Sequence, residues 1–164
     1  MARKKRKRKS DLNGAATSGT MATNRRVRYD YHLLDDFEAG LVLKGSEIKS
    51  IRDAKVDISN AYVRISDGEA WLVNAYIAPY ESAGVWTQHE PLRERKLLLH
   101  RKEIEFLRGR VEQQGLTIVV QRIYIVRGVA KVGISLARGK RHEDRRETIR
   151  RRDQERDMAR AMRR

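Results

Sequence analysis

The sequence predicts a mainly β protein: a small antiparallel barrel with two or three peripheral helices and flexible basic ends. Three observations predict it. Two stretches, 61–75 and 116–137, alternate apolar and polar side chains on either side of a tight turn. One stretch, 101–114, carries apolar residues at helical spacing. The charge is segregated as well. Residues 1–28 hold ten Lys/Arg against one Asp, and 137–164 hold twelve against six Asp/Glu. The middle carries fifteen of each sign, so a neutral body lies between two basic arms.

The formal net charge of +15 over 164 residues calls for a polyanionic partner, and the length suits one domain. With no cysteine there are no disulfides, thiolate metal sites or cysteine nucleophiles. No apolar run approaches the ~20 residues of a membrane span. The basic start leads into Ser10-Asp11-Leu12-Asn13-Gly14 rather than an apolar segment, so it is not a secretory signal. A cytoplasmic location is expected.

Taken in order, residues 1–24 read as a disordered basic arm with almost nothing to bury. Arg25-Arg26-Val27-Arg28-Tyr29-Asp30-Tyr31 then interleaves basic and aromatic groups. Guanidinium and aromatic planes stack on unpaired bases, so Arg25, Arg26, Arg28 and Tyr31 are candidate RNA contacts. The alternative is that Tyr29 and Tyr31 line one face of a first strand and only pack.

Leu41-Val42-Leu43 reads as a buried strand. After Gly45, Ile48 and Ile51 share a spacing of three that fits a short helix. The chain turns over 53–60 and enters a hairpin, Ala61–Ser66 and Glu69–Ala75, around Asp67-Gly68. That turn sets Ile65 opposite Ala70 and Val63 opposite Leu72 on the apolar face. Residues 79–95 form a long loop. Lys96-Leu97-Leu98-Leu99 re-enters the core, and a helix with Ile104, Leu107 and Val111 on its stripe stops at Gly115. Leu116–Val126 and Val129–Ala137 form the most strand-like hairpin, turning at Arg127-Gly128. The expected body is therefore 25–138.

Gly139 ends that body, and 139–164 is a basic tail. From Glu143 onward its sizeable apolar side chains are Ile149, Met158 and Met162, too few for a docking stripe. Its charges nevertheless suit a helix: Glu143/Arg146, Glu147/Arg150, Asp153/Arg156 and Asp157/Arg160 all place acid three residues before base. A tail disordered when free and helical in an anionic setting is expected.

No catalytic arrangement emerges. His32, His89, His100 and His142 lack metal-ligand spacing, and no phosphate-binding glycine loop or nucleophile elbow is present. Asp35, Asp36 and Glu38 have nothing nearby to drive their pKa values apart. A binding protein without metal or cofactor, acting as a monomer, is expected rather than an enzyme.

Several motifs resemble one family. Phe37-Glu38-Ala39-Gly40 followed by Gly45-x-Glu47-x-Lys49-Ser50-x-Arg52 is similar to the SsrA-binding protein (small protein B) family, the tmRNA partners in bacterial ribosome rescue. Asp67-Gly68-Glu69-Ala70, Arg95–Leu99, Lys131-Val132, Gly139-Lys140-Arg141 and Asp144-Arg145-Arg146 extend the likeness from about Asn24 to the end. The resemblance implies an OB-like barrel that binds the tRNA-like domain of tmRNA and delivers it to stalled ribosomes. Elongation factor Tu takes part indirectly, through tmRNA.

The same resemblance implies an RNA face of Asn24, Tyr31, Glu38, Gly40, Leu98, His100 and Lys131. It places Asp144, Arg145 and Arg146 at the decoding centre, with Lys140, Arg141, His142, Arg150 and Met162 among the ribosome contacts. Twenty-two residues of helix from Glu143 span roughly 33 Å, enough to probe an empty mRNA channel. Departures occur in this tail. Glu143 stands where the family commonly has His or an aromatic, Arg145 replaces Lys, and Ala161 replaces a bulky aliphatic. Two other readings remain: a generic OB-like RNA chaperone or single-strand binder, and a ribosomal protein whose arms thread into rRNA.

Overall fold

The computed structural model describes residues 19–162. In chain order the elements are β1 (Thr20–Thr23), α1 (Val27–Asp30), β2 (Tyr31–Leu41), α2 (Gly45–Arg52), β3 (Val56–Asp57), β4 (Tyr62–Ser66) and β5 (Glu69–Val73). There follow β6 (Tyr76–Ile77), β7 (Arg95–Leu98), α3 (Arg101–Gln114), β8 (Thr117–Val126), β9 (Val129–Gly139) and α4 (His142–Ala161).

Six strands form a ring in the order β8-β4-β5-β7-β2-β9, and the β8–β9 pairing closes it. Every pairing in it is antiparallel. Closure leaves the ring no free edge, the reason a small barrel suits so neutral a body. Ile51, Leu72, Ile77, Leu107, Val120, Ile123, Val132, Ile134 and Leu136 are wholly enclosed at its centre.

The two predicted hairpins form, the first with the expected register. Ile65 faces Ala70 and Val63 faces Leu72. Asp67 and Gly68 turn with φ of 53° and 73°, the left-handed pair that a two-residue loop matching strand twist demands. The helix over 101–114 ends at Gly115, whose φ of 60° caps it.

Four expectations need correction. The end of the supposed arm is a strand: Thr20–Thr23 pairs with β8, with Thr20 opposite Tyr124 and Thr23 opposite Arg122. Met21 and Ala22 pack against the core, which 1–24 read as one polar segment did not reveal. The expectation for residues 1–18 lies outside the described residues. Second, the alternative that Tyr29 and Tyr31 share one face of a first strand does not hold: Val27–Asp30 is a single helical turn, and the first long strand starts at Tyr31. Val27 is buried there against Val119 and Ala137, which bends the chain before it can extend.

Third, the strand predicted over 41–43 ends at Leu41, and Val42 lies exposed. Fourth, the loop stops at Glu94: Arg95 opens β7 and is completely enclosed, despite its charge.

One acidic device starts three helices. A carboxylate at the third helical position accepts a hydrogen bond from the backbone amide just before the helix. Glu47 accepts from Lys44 N at 2.7 Å, Glu103 from His100 N at 3.0 Å, and Asp144 from Arg141 N at 3.0 Å.

Candidate nucleic-acid interface

The strand register assembles three parallel rows on the outer face of β8–β9–β2. Ser135 and Asp36 form the first, and Gln121 reaches them from the irregularity in β8: Gln121 Nε2 donates to Asp36 Oδ1 at 2.6 Å, and Ser135 Oγ also donates to that carboxylate. Arg122, Gly133 and Glu38 form the second. Tyr124, Lys131 and Gly40 form the third, and β7 continues it with Leu98 opposite Gly40. Four predicted RNA residues, Glu38, Gly40, Leu98 and Lys131, thus come together from three strands. His100 lies two residues past Leu98, at the start of α3.

Glu38 is the knot of this face. Its carboxylate accepts from Lys131 Nζ and from the Tyr124 hydroxyl. The Lys131 hydrogen bond first, and then that of Tyr124, hold its carboxyl below the usual carboxylate range. Burial, with Glu38 as acceptor, pushes the Tyr124 phenol up. The acidic residue on this face therefore has a physical reason: it fixes two neighbours.

The two glycines mark close approach. A Cβ on Gly40 would lie 3.3 Å from Leu98 Cβ, and one on Gly133 would lie 3.3 Å from Arg122 Cγ. Leu98 and Arg122 each lie across a position that carries no side chain. Lys131 and Gly40 were legible through motif likeness. Arg122, Tyr124 and Gly133 were missed, although their alternation on a confidently predicted strand pair was signal enough to place them on one side.

The remaining predicted residues gather elsewhere. Tyr31 faces Gly139 at the opposite end of β2. Seven residues at ~3.3 Å each put it roughly 23 Å from Glu38 along the strand. Arg25, Arg26 and Arg28 are exposed beside it. Asn24 works for the fold as well: its Nδ2 donates to the Ile58 and Ser59 carbonyls, both at 3.3 Å, and its Oδ1 accepts from Arg26 N at 3.1 Å. Asn24 and Arg26 border a cleft of about 470 Å³ that also includes Tyr31, Tyr62, Asn60 and Arg145.

The tail helix starts against this second region. Lys140 Nζ donates to the Arg28 carbonyl and to Thr148 Oγ1, each at 2.9 Å. Asp144 lies 3.4 Å from His32 Nε2, and Arg145 lies 3.9 Å from Asp30. The Arg141 amide, then His32, keep the Asp144 carboxyl below its ordinary range. The first two turns of α4 are therefore seated by polar contacts, which the missing apolar stripe did not foretell. Arg141, Arg146, Arg150 and Met162 are exposed, while the side chain of His142 lies outside the described residues. Among the described residues no His/Asp/Glu group is arranged to hold a metal ion, and no helix is long and apolar enough to cross a membrane.

The SmpB protein family matches residues 21–164. An "SsrA-binding protein" of Nostoc sp. is 53% identical over 139 residues, covering 85% of this chain and 90% of the relative. One of Roseiflexus sp. is 53% identical over 142 residues, covering 87% and 90%. A solved chain from "tmRNA-SmpB: a journey to the center of the bacterial ribosome" is 51% identical, covers 79% of this chain and 94% of its own length, and superposes with a TM-score of 0.62.

Proposed function

Because this chain belongs to the SmpB protein family, we propose that it binds tmRNA and acts with it on the ribosome in trans-translation. It captures the tRNA-like domain on the barrel and delivers it to ribosomes stalled without a codon. Elongation factor Tu joins indirectly, through tmRNA. The chain is a cytoplasmic binding adaptor rather than an enzyme.

One observation carries the division of labour. Glu38, Gly40, Leu98 and Lys131 converge on one outer face of the ring, whereas Asp144, Arg145 and Arg146 stand in the first turns of a helix at the other end of β2. Positively charged and stackable groups on the rigid barrel suit a folded RNA, with phosphate contacts setting position and stacked bases adding preference. In the helix every residue from Ile149 to Met162 is exposed. That form suits a narrow anionic channel: it reaches along an empty mRNA path and is excluded when mRNA fills it.

The test separates capture from sensing. Ending the chain after Arg141 leaves tmRNA affinity within about tenfold, ~1.4 kcal/mol, and abolishes peptide tagging on stalled ribosomes. Changing Asp144, Arg145 and Arg146 together to Ala in the full chain gives the same split. Full tagging by either variant would reduce the tail to a source of charge and favour a general RNA chaperone.

A further inference from the structure

The loop over 78–94 carries an apolar tip that the fold does not use. Trp86 is 98% exposed and its neighbour Val85 is 90% exposed. The loop beneath them is braced. The Gln88 side chain spans its neck, where Oε1 accepts from Tyr80 N at 3.1 Å and Nε2 donates to the Tyr80 carbonyl at 2.9 Å. Lys55 Nζ pairs with Glu81 at 2.7 Å, and Lys49 Nζ lies 5.3 Å from the centre of the Tyr80 ring. Above the neck two turns shape the tip. Ala83 N donates to the Tyr80 carbonyl at 2.9 Å, and Thr87 N to the Gly84 carbonyl at 3.0 Å.

Charge sets this loop apart from the rest of the chain. Residues 78–94 hold Glu81, Glu90 and Glu94 against Arg93 alone, in a chain of net charge +15. Arg93 is committed to Glu47, and no Lys, Arg, Asp or Glu stands between Glu81 and Glu90. Proteins that hold unpaired RNA couple aromatic platforms to a positively charged groove. Here the aromatic stands on an acidic loop, whose field opposes the approach of phosphates.

We propose that the Val85–Trp86 tip docks on a protein, Trp86 entering an apolar pocket on a basic protein surface of the ribosome. The ribosome as the setting rests on the reading above. On a particle whose RNA repels an acidic loop, exposed basic protein is the surface that the loop can approach. Tryptophan is among the residue types that carry the largest share of interface energy when seated in a desolvated pocket. Because Gln88 and the two turns shape the loop before contact, little ordering cost offsets that gain. Val85 widens the apolar contact, while Glu81 and Glu90 lie on either side of the tip in sequence and suit a basic rim.

The experiment uses the full chain, tmRNA and purified ribosomes stalled without a codon. Trp86→Ala is expected to weaken association with the ribosome at least about tenfold. It leaves affinity for isolated tmRNA and thermal unfolding unchanged. Ser82, exposed on the same tip, tests the sign of the partner's charge. Ser82→Lys is expected to weaken ribosome association several-fold at low salt, and Ser82→Glu to strengthen it. A photoreactive p-benzoylphenylalanine in place of Trp86 is expected to cross-link to a ribosomal protein, giving a product that resists ribonuclease.

Unchanged ribosome association in Trp86→Ala would overturn the docking while leaving tmRNA binding intact. So would a cross-link to RNA together with tighter association in Ser82→Lys, which would make Trp86 a base-stacking residue. A loss of affinity for isolated tmRNA equal to the loss on the ribosome would also overturn it. Failure of the unmodified chain to join stalled ribosomes with tmRNA would instead defeat the ribosome reading, and the docking with it.

Discussion

Glu47 and Arg95, 48 residues apart in sequence, form an ion pair at 2.8 Å with both side chains completely enclosed. Arg93 adds a two-pronged contact to the same carboxylate, at 2.7 and 2.5 Å. Arg95 spends its remaining donors on the Ala75 and Pro91 carbonyls at 2.6 and 3.0 Å. One carboxylate therefore starts α2 and ties the base of the 78–94 loop to β7. Ser46 and His89 supply a second tie, Ser46 Oγ to Nδ1 at 2.9 Å and Nε2 to the Ile77 carbonyl at 3.0 Å.

Breaking this pair leaves a buried guanidinium uncompensated, a loss of roughly 3–5 kcal/mol. Glu47→Gln is expected to lower the unfolding temperature accordingly at neutral pH. Burial alone pushes the Glu47 carboxyl up, but Arg93, the Lys44 amide and Arg95 more than reverse this and hold it below its ordinary value. A depressed carboxylate contributes fully above its unfolded-state pKa, and that contribution is lost as pH falls through the folded one. The gap between the original chain and Glu47→Gln should thus narrow in acid. A gap independent of pH in thermal melts would show that the charge is irrelevant and only packing was lost.

The loop tip is the opposite case. Trp86 is 98% exposed and Val85 90%, so neither is part of the core. Trp86→Ala is expected to shift stability by no more than about 0.5 kcal/mol. Arg93→Ala, at the base of the same loop, should cost several times more because it strips the enclosed Glu47 of two bonds. Equal melting points for the two variants would refute anchoring at the base.

Gly40→Ala tests the face without touching the core. The added Cβ meets Leu98 Cδ1 at 3.4 Å, which can turn outward because Leu98 is exposed, and Leu98 Cβ at 3.3 Å, which asks β7 to give by a few tenths of an ångström. Unfolding should change by less than about 1 kcal/mol, while the displaced Leu98 should weaken tmRNA binding several-fold. A large drop in melting temperature with intact binding would assign Gly40 to the fold instead.

What the sequence made legible follows from where the physics is local. Asp67-Gly68 and Gly115 announce their own backbone geometry, so both ends of the hairpin and the stop of α3 could be read directly. Alternation through 117–137 placed β8 and β9, whose pairing closes the ring. Glu47 and Arg95 could not be read this way, since each charge is tolerable inside only because the other arrives from far along the chain. The pairing of β1 was hidden for the same reason: Thr20–Thr23 is polar at both ends and becomes a strand only on the edge that β8 offers. Motif likeness pointed to Glu38 and Lys131 but said nothing of Arg122, whose place depends on the cross-strand neighbour Gly133.

The tail gives the last prediction. Its first turns are seated by Lys140, Asp144 and Arg145, whereas from Ile149 onward every described residue is exposed. Beyond that point the helix is supported by pairs such as Arg151–Glu155 at 3.5 Å, Asp153–Arg156 at 3.6 Å and Asp157–Arg160 at 3.8 Å. Surface pairs of this kind contribute a few tenths of a kcal/mol each, too little to hold an unpacked helix of that length in water. Amides from about Arg151 should therefore exchange almost freely in the isolated chain, and those of 144–149 more slowly. Adding salt should flatten the distal helix further, because those pairs are screened. Asp144→Asn should erase the protection near 144–149, since it weakens both the Arg141 amide bond and the contact with His32. Acid should act in the same direction, as the depressed Asp144 carboxyl is protonated and the support it gives above its ordinary range disappears. Uniform strong protection to Met162 in the free chain would show a helix already built before the ribosome, and the tail would then sense the channel as a rigid rod rather than by folding into it.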